Sequence, residues 1–445
     1  MERRYQVRYQ EMLAECAASP ALFQGSLERL RGFAQPFLAC LGLPQARVHA
    51  RTYIAGLLSN LERKNIESIA YRDDQGRRNL QHFIGVSEWD HRALQQELAR
   101  QVGQQLGEDD GVLVIDPSAF AKKGIKSVGV ARQWCGRHGK VENCQLAVYL
   151  GYASHREHAL VDMRLYLPRE WTNSRKRCRA AGVPRDIRFQ TRHGLALEMI
   201  RRNGAQLPHA WITGDDEFGR AATFRRDLQE LGERYLLAVP ANTNVRDLEI
   251  APPVADPRAH RKTPFCRLDA WAEAQPEWKW TRIMVRDGEQ GPLEVEVITC
   301  RVRAKLTSTH MPYDEVMVVI RCLDERGATK IDYYLSNASP TTTRRELARV
   351  AKAEHRVEDC IKRGKSEAGL ADYEVQKWTG WHHHQILSLI AAWFLIQETR
   401  RGKKSHSGVD RAASSPSAVD PSVYRVAMRH AGTDRTSVAT SPGTQ

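Results

Sequence analysis

Two short apolar runs, each leading to an aspartate, constrain the fold of this chain most strongly. Residues 112–115 (VLVI) form a continuous β-branched run and Asp116 follows directly. Such a run is typical of a strand buried on both faces of a sheet. Residues 210–213 (AWIT) form a second run, which leads through a glycine to Asp215. Buried strands that alternate with helical stretches predict an α/β fold with both aspartates at strand ends.

The first part of the chain has helical periodicity. Apolar residues recur at three- and four-residue steps over 22–43 and 48–61, and shorter helices are predicted over 65–71, 79–84 and 89–102. Basic residues interrupt these stretches, so residues 1–105 are interpreted as a helical DNA-binding module. The spacing of a helix-turn-helix motif is not evident, and an ordinary helical domain with solvated charges is the alternative.

The rest of the chain divides by composition into four further segments. Residues 106–240 contain additional strands at 144–152, 159–167 and 235–239, whereas 241–330 alternate as an inserted β-rich segment with strands at 281–285, 293–303 and 315–322. Residues 331–401 return to the core pattern, with helices over 341–365 and 382–400. Residues 402–445 are rich in small polar residues and are predicted to be disordered.

Composition narrows the classes of partner. With 445 residues the chain is long enough for more than one core, and its net charge of +14 favours nucleic acid first and an anionic membrane second. The nine cysteines are scattered without a CxxC pair, which favours a reducing cytosol over a disulfide scaffold or a zinc finger. The longest apolar run, 386–396, is too short to span a bilayer. We therefore expect a soluble, cytoplasmic protein without a membrane partner.

The two strand-end aspartates suggest metal chemistry. Mg²⁺ prefers oxygen ligands, and a pair of ions about 3.5–4 Å apart can clamp the attacking and leaving oxygens of a phosphoryl transfer. An aspartate after a strand more often caps the next turn, so Asp116 alone is a weak signal. Asp215 has the neighbour Asp216, and one of the two could cap the helix predicted near Phe218.

A third acid is predicted on the helix over 341–365. The stretch 354–360 offers Glu354, Glu358 and Asp359. Glu358 lies seven residues before Lys365, which places both on one helical face, about 10.5 Å apart along the axis. A carboxylate and an ammonium so placed could serve a metal ion and a phosphate. A solvated charged face is the plainer interpretation of the same pattern.

Several longer stretches resemble one known family. The chain is similar to the bacterial insertion-sequence transposases of the DDE superfamily, which have an RNase H-like core, over roughly residues 45–400. The stretches that carry the resemblance are SNLERKN (59–65), VLVIDPSAFAKKGIKSVGVARQWCGRHGKVENCQLAVYLGYAS (112–154), YLPREWT (166–172), WITGDDEFG (211–219), YLLAVPANT (235–243) and YEVQKWTGWHHH (373–384).

The resemblance implies specific site residues. It implies Asp116 as the first acid and Asp215 as the second, in an Asp-x-x-Tyr-Gly context where Phe218 replaces the tyrosine. In the family's Tyr-x2-Arg-x3-Glu-x6-Lys signature, Glu358 and Lys365 take the Glu and Lys places, whereas the Tyr and Arg places fall on Ala351 and Glu354. Arg356 could supply the missing cation. Glu374, in the YEVQKWTGW stretch, is the rival third acid.

The implied fold is an RNase H-like mixed sheet flanked by helices, and the implied activity is DNA transposition. Two Mg²⁺ ions, or Mn²⁺ in their place, would be bound by Asp116, Asp215 and Glu358, and the protein would act on element ends and target DNA as a dimer. Pro117–Phe120 departs from the family's usual Glu-Thr-Gly-Phe, and the C-terminal segment is atypical. An inactive DNA-binding regulator, a decayed copy, or a nuclease that cuts without joining therefore remain alternatives.

Basic and aromatic residues are the predicted DNA contacts. A cluster of cations follows Asp116, and phosphate contacts of this kind add salt-dependent affinity. Tryptophans could stack on unpaired terminal bases, although core packing is the alternative for them. The residues of these two groups are Lys122, Lys123, Lys126, Arg132, Arg356, Trp171, Trp378 and Trp381. Residues 382–384 are three consecutive histidines, which cannot all bind one ion because neighbours on a helix point about 100° apart.

Overall fold

The computed structural model describes residues 25–73, 76–250, 264–288, 291–305, 313–323 and 329–406. Among the described residues, five helices precede the first strand, close to the five that periodicity predicts: α1 (Ser26–Ala39), α2 (Pro44–Leu57), α3 (Ile66–Arg72), α4 (Arg77–Gly85) and α5 (His91–Leu106). Asn65 and Asp90 cap α3 and α5 by accepting backbone N–H groups with their side chains. No helix within the described residues is long and apolar enough to cross a membrane.

The central part of the chain alternates strands and helices. Its strands are β1 (Val112–Ala121), β2 (Ala131–Cys135), β3 (Lys140–Ala153), β4 (His158–Leu165), β5 (Trp211–Gly214) and β6 (Tyr235–Ala238). Its helices are α6 (Arg169–Thr172), α7 (Arg175–Ala180), α8 (Arg192–Asn203), α9 (Asp216–Arg220) and α10 (Ala222–Glu230).

The described part of the second half adds six strands and three α-helices. The strands are β7 (Asn244–Asp247), β8 (Cys266–Arg267), β9 (Thr281–Gly288), β10 (Gly291–Ala304), β11 (Glu315–Leu323) and β12 (Thr329–Ser336). The helices are α11 (Leu268–Glu273), α12 (Arg344–Glu367) and α13 (Trp378–His406). Residues 402–406 therefore continue a helix instead of belonging to the predicted tail, and the remainder of that tail lies outside the described residues.

One mixed sheet contains all of these strands. Its order is β2-β3-β1-β5-β6-β12-β11-β10-β7-β8, with β4 paired to β3 and β9 paired to β10. The strands β1, β5 and β6 run parallel, and β3 is antiparallel to β1. The observed fold is a mixed α/β sheet flanked by helices, with the parallel strands at its centre.

The β-rich segment predicted as an insertion continues this sheet. Strand β12 pairs with β6 of the central part on one side and with β11 on the other. A second, smaller core forms at this end, where apolar residues of β7, β10 and β11 pack against Leu268 and Trp271 of α11. The alternating pattern correctly located the strands β9, β10 and β11, whereas the pairing of β12 with β6 could not be read from it.

The N-terminal helices share the main core with the sheet. Their apolar residues and those of α12 and α13 form one continuous cluster with the central strands. The side chain of Arg29 donates two hydrogen bonds to Glu398 on α13, at 2.8 and 2.6 Å. Trp393 of α13 donates to Gln101 of α5. These contacts tie the predicted DNA-binding module to the last helix.

The three consecutive histidines begin α13 in this interface. Their rings contact different neighbours: the two ring nitrogens of His383 lie beside the carbonyls of Ile84 and Trp89, and His384 lies between the Tyr53 hydroxyl, at 2.9 Å, and the carbonyl of Gly369, at 3.0 Å. His382 packs between Trp378 and Trp381. Burial lowers the pKa of His382 and His384 to about 3 and that of His383 to about 4. All three are packing residues, and they do not converge on one ion.

Because these histidines are buried, we expect the fold to lose stability in acid. A histidine that is neutral in the fold but free to ionise in the unfolded chain stabilises the fold fully above its ordinary pKa of 6.5, and this contribution is lost as the pH falls towards 3–4. We expect the urea midpoint to fall steadily between pH 7 and pH 4.5, and His384→Gln to reduce that slope. The exposed His155 provides the control, and an unchanged slope in His384→Gln together with a changed one in His155→Gln would contradict the interpretation.

Candidate active site

Asp116 and Asp215 lie side by side at the centre of the sheet. Strands β1 and β5 are parallel, and their last paired residues are Ile115 and Gly214. The next residue on each strand is an aspartate, so the two carboxylates leave the sheet from adjacent backbones about 4.8 Å apart. This register brings together two residues that are 99 positions apart in the sequence.

The sequence pattern suggested that the first strand ends at Asp116, but the strand continues beyond this residue. It continues to Ala121 while paired with β3, although β5 has already ended on its other side. Pro117 therefore lies where β1 has become an edge, a position that tolerates the missing N–H group of proline. Asp116 is consequently held by a strand that continues beyond it, which fixes the backbone at the site.

Asp215 serves as a helix cap as well. Its Oδ1 accepts the backbone N–H of Glu217 at 3.1 Å and so begins α9. Asp216 points away and pairs with Arg220 at 3.0 Å, with about half of its side chain exposed. Gly219 allows α9 to contact β6, since a Cβ at this position would lie 1.8 Å from the carbonyl oxygen of Ala238. The Asp-x-x-aromatic-Gly context thus holds the aspartate against the sheet.

Helix α12 crosses the sheet beside these aspartates. Val357 packs on β3 at Gly151, where an added Cβ would approach the valine side chain to 2.5 Å. Glu354 and Glu358 are one turn apart on this helix, which places them on the same face. Glu354 is half-buried and within electrostatic reach of Asp116, Asp215 and Asp332, whereas Glu358 is exposed. Periodicity alone gave no reason to prefer Glu354 among the acids of α12.

The electrostatics of the acids support a cation site. Burial, followed by repulsion from Asp215 and Glu358, raises the pKa of Asp116 to about 8. Burial also raises the pKa of Asp215 to about 7 and, together with Asp215 and Asp116, that of Glu354 to about 8. Carboxylates that repel one another in a desolvated position fit a hard divalent cation, which satisfies them with oxygen coordination.

Glu358 lies at the rim of this acid cluster. Its carboxylate pairs with His355 at 3.3 Å and with Lys362 at 3.0 Å, and about half of its side chain is exposed. The hydrogen bond from His355 is the main reason why its pKa falls to about 2. Glu358 nevertheless lies within electrostatic range of Asp116, because its charge contributes to the raised pKa of that aspartate.

The structure separates the remaining sequence candidates. Lys365 donates to the hydroxyl of Ser118 at 2.8 Å, on the strand of Asp116, and its charge lowers the pKa of that aspartate. Glu374 is exposed and accepts a hydrogen bond from Asn65 at 3.0 Å. The pairing of Glu374 with α3 provides a structural role for it outside the acid cluster.

Burial removes two tryptophans from the predicted DNA contacts. Trp171 and Trp381 are 1% and 0% exposed, so neither can stack on a base without unfolding its surroundings. Trp171 donates its indole N–H to the carbonyl of Val130 at 2.7 Å. Trp378 is half-buried and packs on His382. Core packing, the alternative considered from sequence, is thus the observed role of Trp171 and Trp381.

The basic candidates differ in accessibility. Lys122 lies 3.6 Å from the centre of the Tyr373 ring, and burial lowers its pKa to about 8. Arg356 donates to the carbonyl of Ser154 at 2.6 Å, at the end of β3. Lys123, Lys126 and Arg132 are exposed. These last three are the predicted cations that can reach a phosphate without rearrangement.

A second group of potential ligands lies on the β2–β3 hairpin. Donor atoms of Cys135, His138 and Glu142 come within 4.8 Å of one another. His138 already pairs with Glu142, and a thiol is a poor ligand for Mg²⁺. Among the described residues the carboxylates of β1, β5 and α12 are therefore the better candidates for hard divalent ions.

The family of the chain is shown by comparison with known proteins. Residues 36–292 match the family model of the DDE superfamily endonucleases, and the chain belongs to that family. The matched range contains Asp116 and Asp215 and ends before α12.

One curated relative is a probable transposase for insertion sequence element IS701 from Microchaete diplosiphon. It is 28% identical over 199 residues, which is 43% of this chain, and the chain spans about half of that relative's length. Among solved structures, a piggyBac transposase in a synaptic complex with hairpin DNA is similar with a TM-score of 0.40 and 10% identity. That match covers 89% of this chain and 74% of the other.

Proposed function

We propose that this chain is a DNA transposase that cleaves element ends and joins them to target DNA. The observation that carries the proposal is the register of β1 and β5, which sets Asp116 beside Asp215 under the acids of α12. Membership of the DDE superfamily endonucleases supports the same chemistry. The strand order, with β3 antiparallel to β1 and with β5 and β6 parallel to it, supports an RNase H-like core.

The residues that would hold the metal ions are Asp116, Asp215 and Glu358. Two Mg²⁺ ions bound there would activate the attacking oxygen and neutralise charge on the scissile phosphate. The chain itself supplies rigid placement of the ligands, because two of them leave a packed sheet and the third belongs to a helix packed on that sheet. Such preorganisation accounts for most of the catalytic contribution expected from a protein in phosphoryl transfer.

Neither of the two proposed reactions requires a covalent intermediate with the protein. In the first, water attacks the phosphodiester at the element end, the P–O3′ bond breaks, and a 3′-hydroxyl is released. In the second, that hydroxyl attacks a target phosphodiester, a new P–O bond forms to its oxygen, and the P–O3′ bond of the target breaks and releases a target 3′-hydroxyl. Lys365, anchored beside Asp116 through Ser118, would neutralise phosphate charge. We propose a dimer on DNA because two ends must be joined, and light scattering of the DNA complex tests this.

Glu354 is proposed as an additional acid that strengthens metal binding. It stands deeper in the cluster than Glu358, which must release His355 and Lys362 to act as a ligand. Both of those partners are exposed, and exposed pairs contribute only about 0–1 kcal/mol, so this release costs little. The two glutamates should therefore fail in different ways when neutralised.

A metal titration of cleavage and joining tests these roles. We expect Glu358→Gln to lower the maximal cleavage rate on the order of a hundredfold, whatever the metal concentration. Glu354→Gln should raise the Mg²⁺ concentration needed for half-maximal rate, with recovery in excess Mn²⁺. Glu374→Gln is the matched control and should behave as wild type.

The same assay separates transposase from its rivals. Joined products distinguish a transposase from a nuclease that only cuts. A wild-type protein that binds element ends but neither cuts nor joins in any divalent ion would instead establish the regulatory alternative. Equal metal dependence of Glu354→Gln and wild type would remove Glu354 from the site.

A further inference from the structure

We infer that a continuous basic surface beside the acid cluster binds the backbone of the DNA duplex. The surface consists of the loop 122–126, the outward face of the β2–β3 hairpin, and residues 175–188; it is called here the basic surface. The inference rests on the proposed function and extends it by assigning the path of the DNA. The predicted contacts Lys123, Lys126 and Arg132 belong to it, whereas its remaining members were not predicted from sequence.

The charge of the segment after β4 is strongly one-sided. Between residues 169 and 192 there are eight basic residues and two acidic ones, Glu170 and Asp186. Five of the basic side chains are exposed, on α7 and in the loop that follows it. These are Arg175, Lys176, Arg179, Arg185 and Arg188. A cluster of this kind attracts a polyanion through the release of its counterions.

Arg177 joins this segment to the loop after β1. Its guanidinium donates to the carbonyls of Ile125 and Val130, at 3.1 and 3.2 Å, and lies 3.8 Å from the centre of the Trp171 ring. Asn143 of β3 fixes the other side of the loop by donating to the carbonyls of Lys122 and Gly124. The three parts therefore form one surface, and the contact of Arg177 with the buried Trp171 helps to hold it.

Two stretches of backbone connect the basic surface to the aspartates. Strand β1 leads from Asp116 directly into the loop 122–126, six residues or about 20 Å further along. At the other end of the segment, Arg192 pairs with Glu217 at 2.6 Å, two residues after Asp215. A duplex lying along the surface would therefore pass the edge of the sheet where the carboxylates meet.

An exposed aromatic side chain completes the surface. Trp134 on β2 is 58% exposed and faces Val141 across the hairpin, which is 51% exposed. Arg132 lies two residues earlier on the same face of the strand. A tryptophan flanked by cations suits a nucleic acid, since its ring can stack on a base while the cations contact phosphates. Trp134 thus offers the stacking role that the buried Trp171 and Trp381 cannot fill.

Removal of three charges tests the inference. We expect the triple variant Arg175→Ala, Lys176→Ala, Arg179→Ala to weaken binding of an element-end duplex on the order of a hundredfold at 0.15 M salt, since each lost phosphate contact costs about fivefold there. The slope of log K against log salt should decrease by about 2.7 for three contacts. Trp134→Ala should weaken binding to a duplex with frayed ends about fivefold or more.

Two controls are needed. The first tests whether the position of the lost charges matters or only their number, and the second tests whether the variants still fold. The triple variant Lys279→Ala, Arg282→Ala, Arg345→Ala removes the same charge from exposed residues outside the basic surface and should change the affinity much less. The charge-preserving pair Arg175→Lys, Arg179→Lys should keep the salt slope, and an unchanged unfolding midpoint shows that α7 variants fold.

Binding is measured without a divalent ion, so that it is independent of cleavage. Equal losses in the two triple variants would overturn the inference, as would wild-type affinity in the α7 variant. The inference would also be overturned if the α7 triple variant lost binding to phosphatidylserine vesicles but kept its affinity for DNA. If the wild type cleaves DNA and the α7 variant binds DNA normally, the basic surface is refuted as the DNA-binding site and the proposed function stands. If the wild type binds DNA but does not cleave it, only the proposed function is refuted.

Discussion

Replacing Asp116 with asparagine should reduce metal-dependent cleavage on the order of a thousandfold or more. Asparagine keeps the size of the side chain but removes the charge that a divalent ion requires. The fold should survive, because burial opposes ionisation of this carboxyl group and raises its pKa to about 8. Above pH 8 the variant should therefore unfold at a higher urea concentration than the metal-free wild type. Cleavage rates, metal titration calorimetry and urea unfolding measure the three effects.

The neighbouring Asp216 provides a matched control. It has the same chemistry and follows Asp215 directly, but it is exposed and paired with Arg220. Asp216→Asn should cleave within a few-fold of the wild-type rate, because exposed pairs contribute little. Wild-type cleavage by Asp116→Asn would refute the metal site, and equal losses in both variants would show that charge near the site matters instead of coordination.

Neutralising Glu315 should cause the largest loss of stability. Arg225 on α10 donates to both oxygens of Glu315 on β11, at 2.8 and 3.3 Å, and the two side chains are 3% and 1% exposed. Removing one partner of a buried pair leaves an uncompensated charge, which costs about 3–5 kcal/mol. We expect a loss of this size in Glu315→Gln, measured as the free energy of unfolding in urea.

The same change should reach the active site. Arg225 also donates to the carbonyl of Gly219, and so holds the end of α9, the helix that Asp215 begins. The double variant Arg225→Met, Glu315→Leu should be less destabilised than Glu315→Gln, since apolar pairs can replace buried ions. Glu230→Gln, which breaks the exposed pair with Arg226 on the same helix, should cost under about 1 kcal/mol. A similar loss in Glu230→Gln and Glu315→Gln would contradict this account.

Local patterns predicted much of the secondary structure. The helices α1 to α5 and the strands β9 to β11 lie close to the predicted ranges, because helical and alternating periodicities report directly on the buried face of an element. The predicted length of β1 was wrong, since Pro117 suggested that the strand ends there. Its continuation depends on pairing with β3, which no local pattern contains.

Accessibility was the property that sequence could not supply. A tryptophan next to basic residues can face a base or the core, and the same letters fit both. Trp171 and Trp381 are buried, whereas Trp134, which was not predicted as a DNA contact, is exposed on an edge hairpin. The exposed arginines of α7 are similar in this respect, because their position beside the loop after β1 follows from the contacts of Arg177.

The sequence by itself determined the alternation of strands and helices, the family and the two strand-following aspartates, because each of these depends on short runs of neighbouring residues. Only the tertiary structure decided that Ile115 and Gly214 are paired, which places Asp116 beside Asp215. It also decided that Glu354 stands inside the acid cluster and Glu358 at its rim. The positions of side chains on α12 relative to the sheet depend on how Val357 packs against Gly151, a contact between residues more than 200 positions apart.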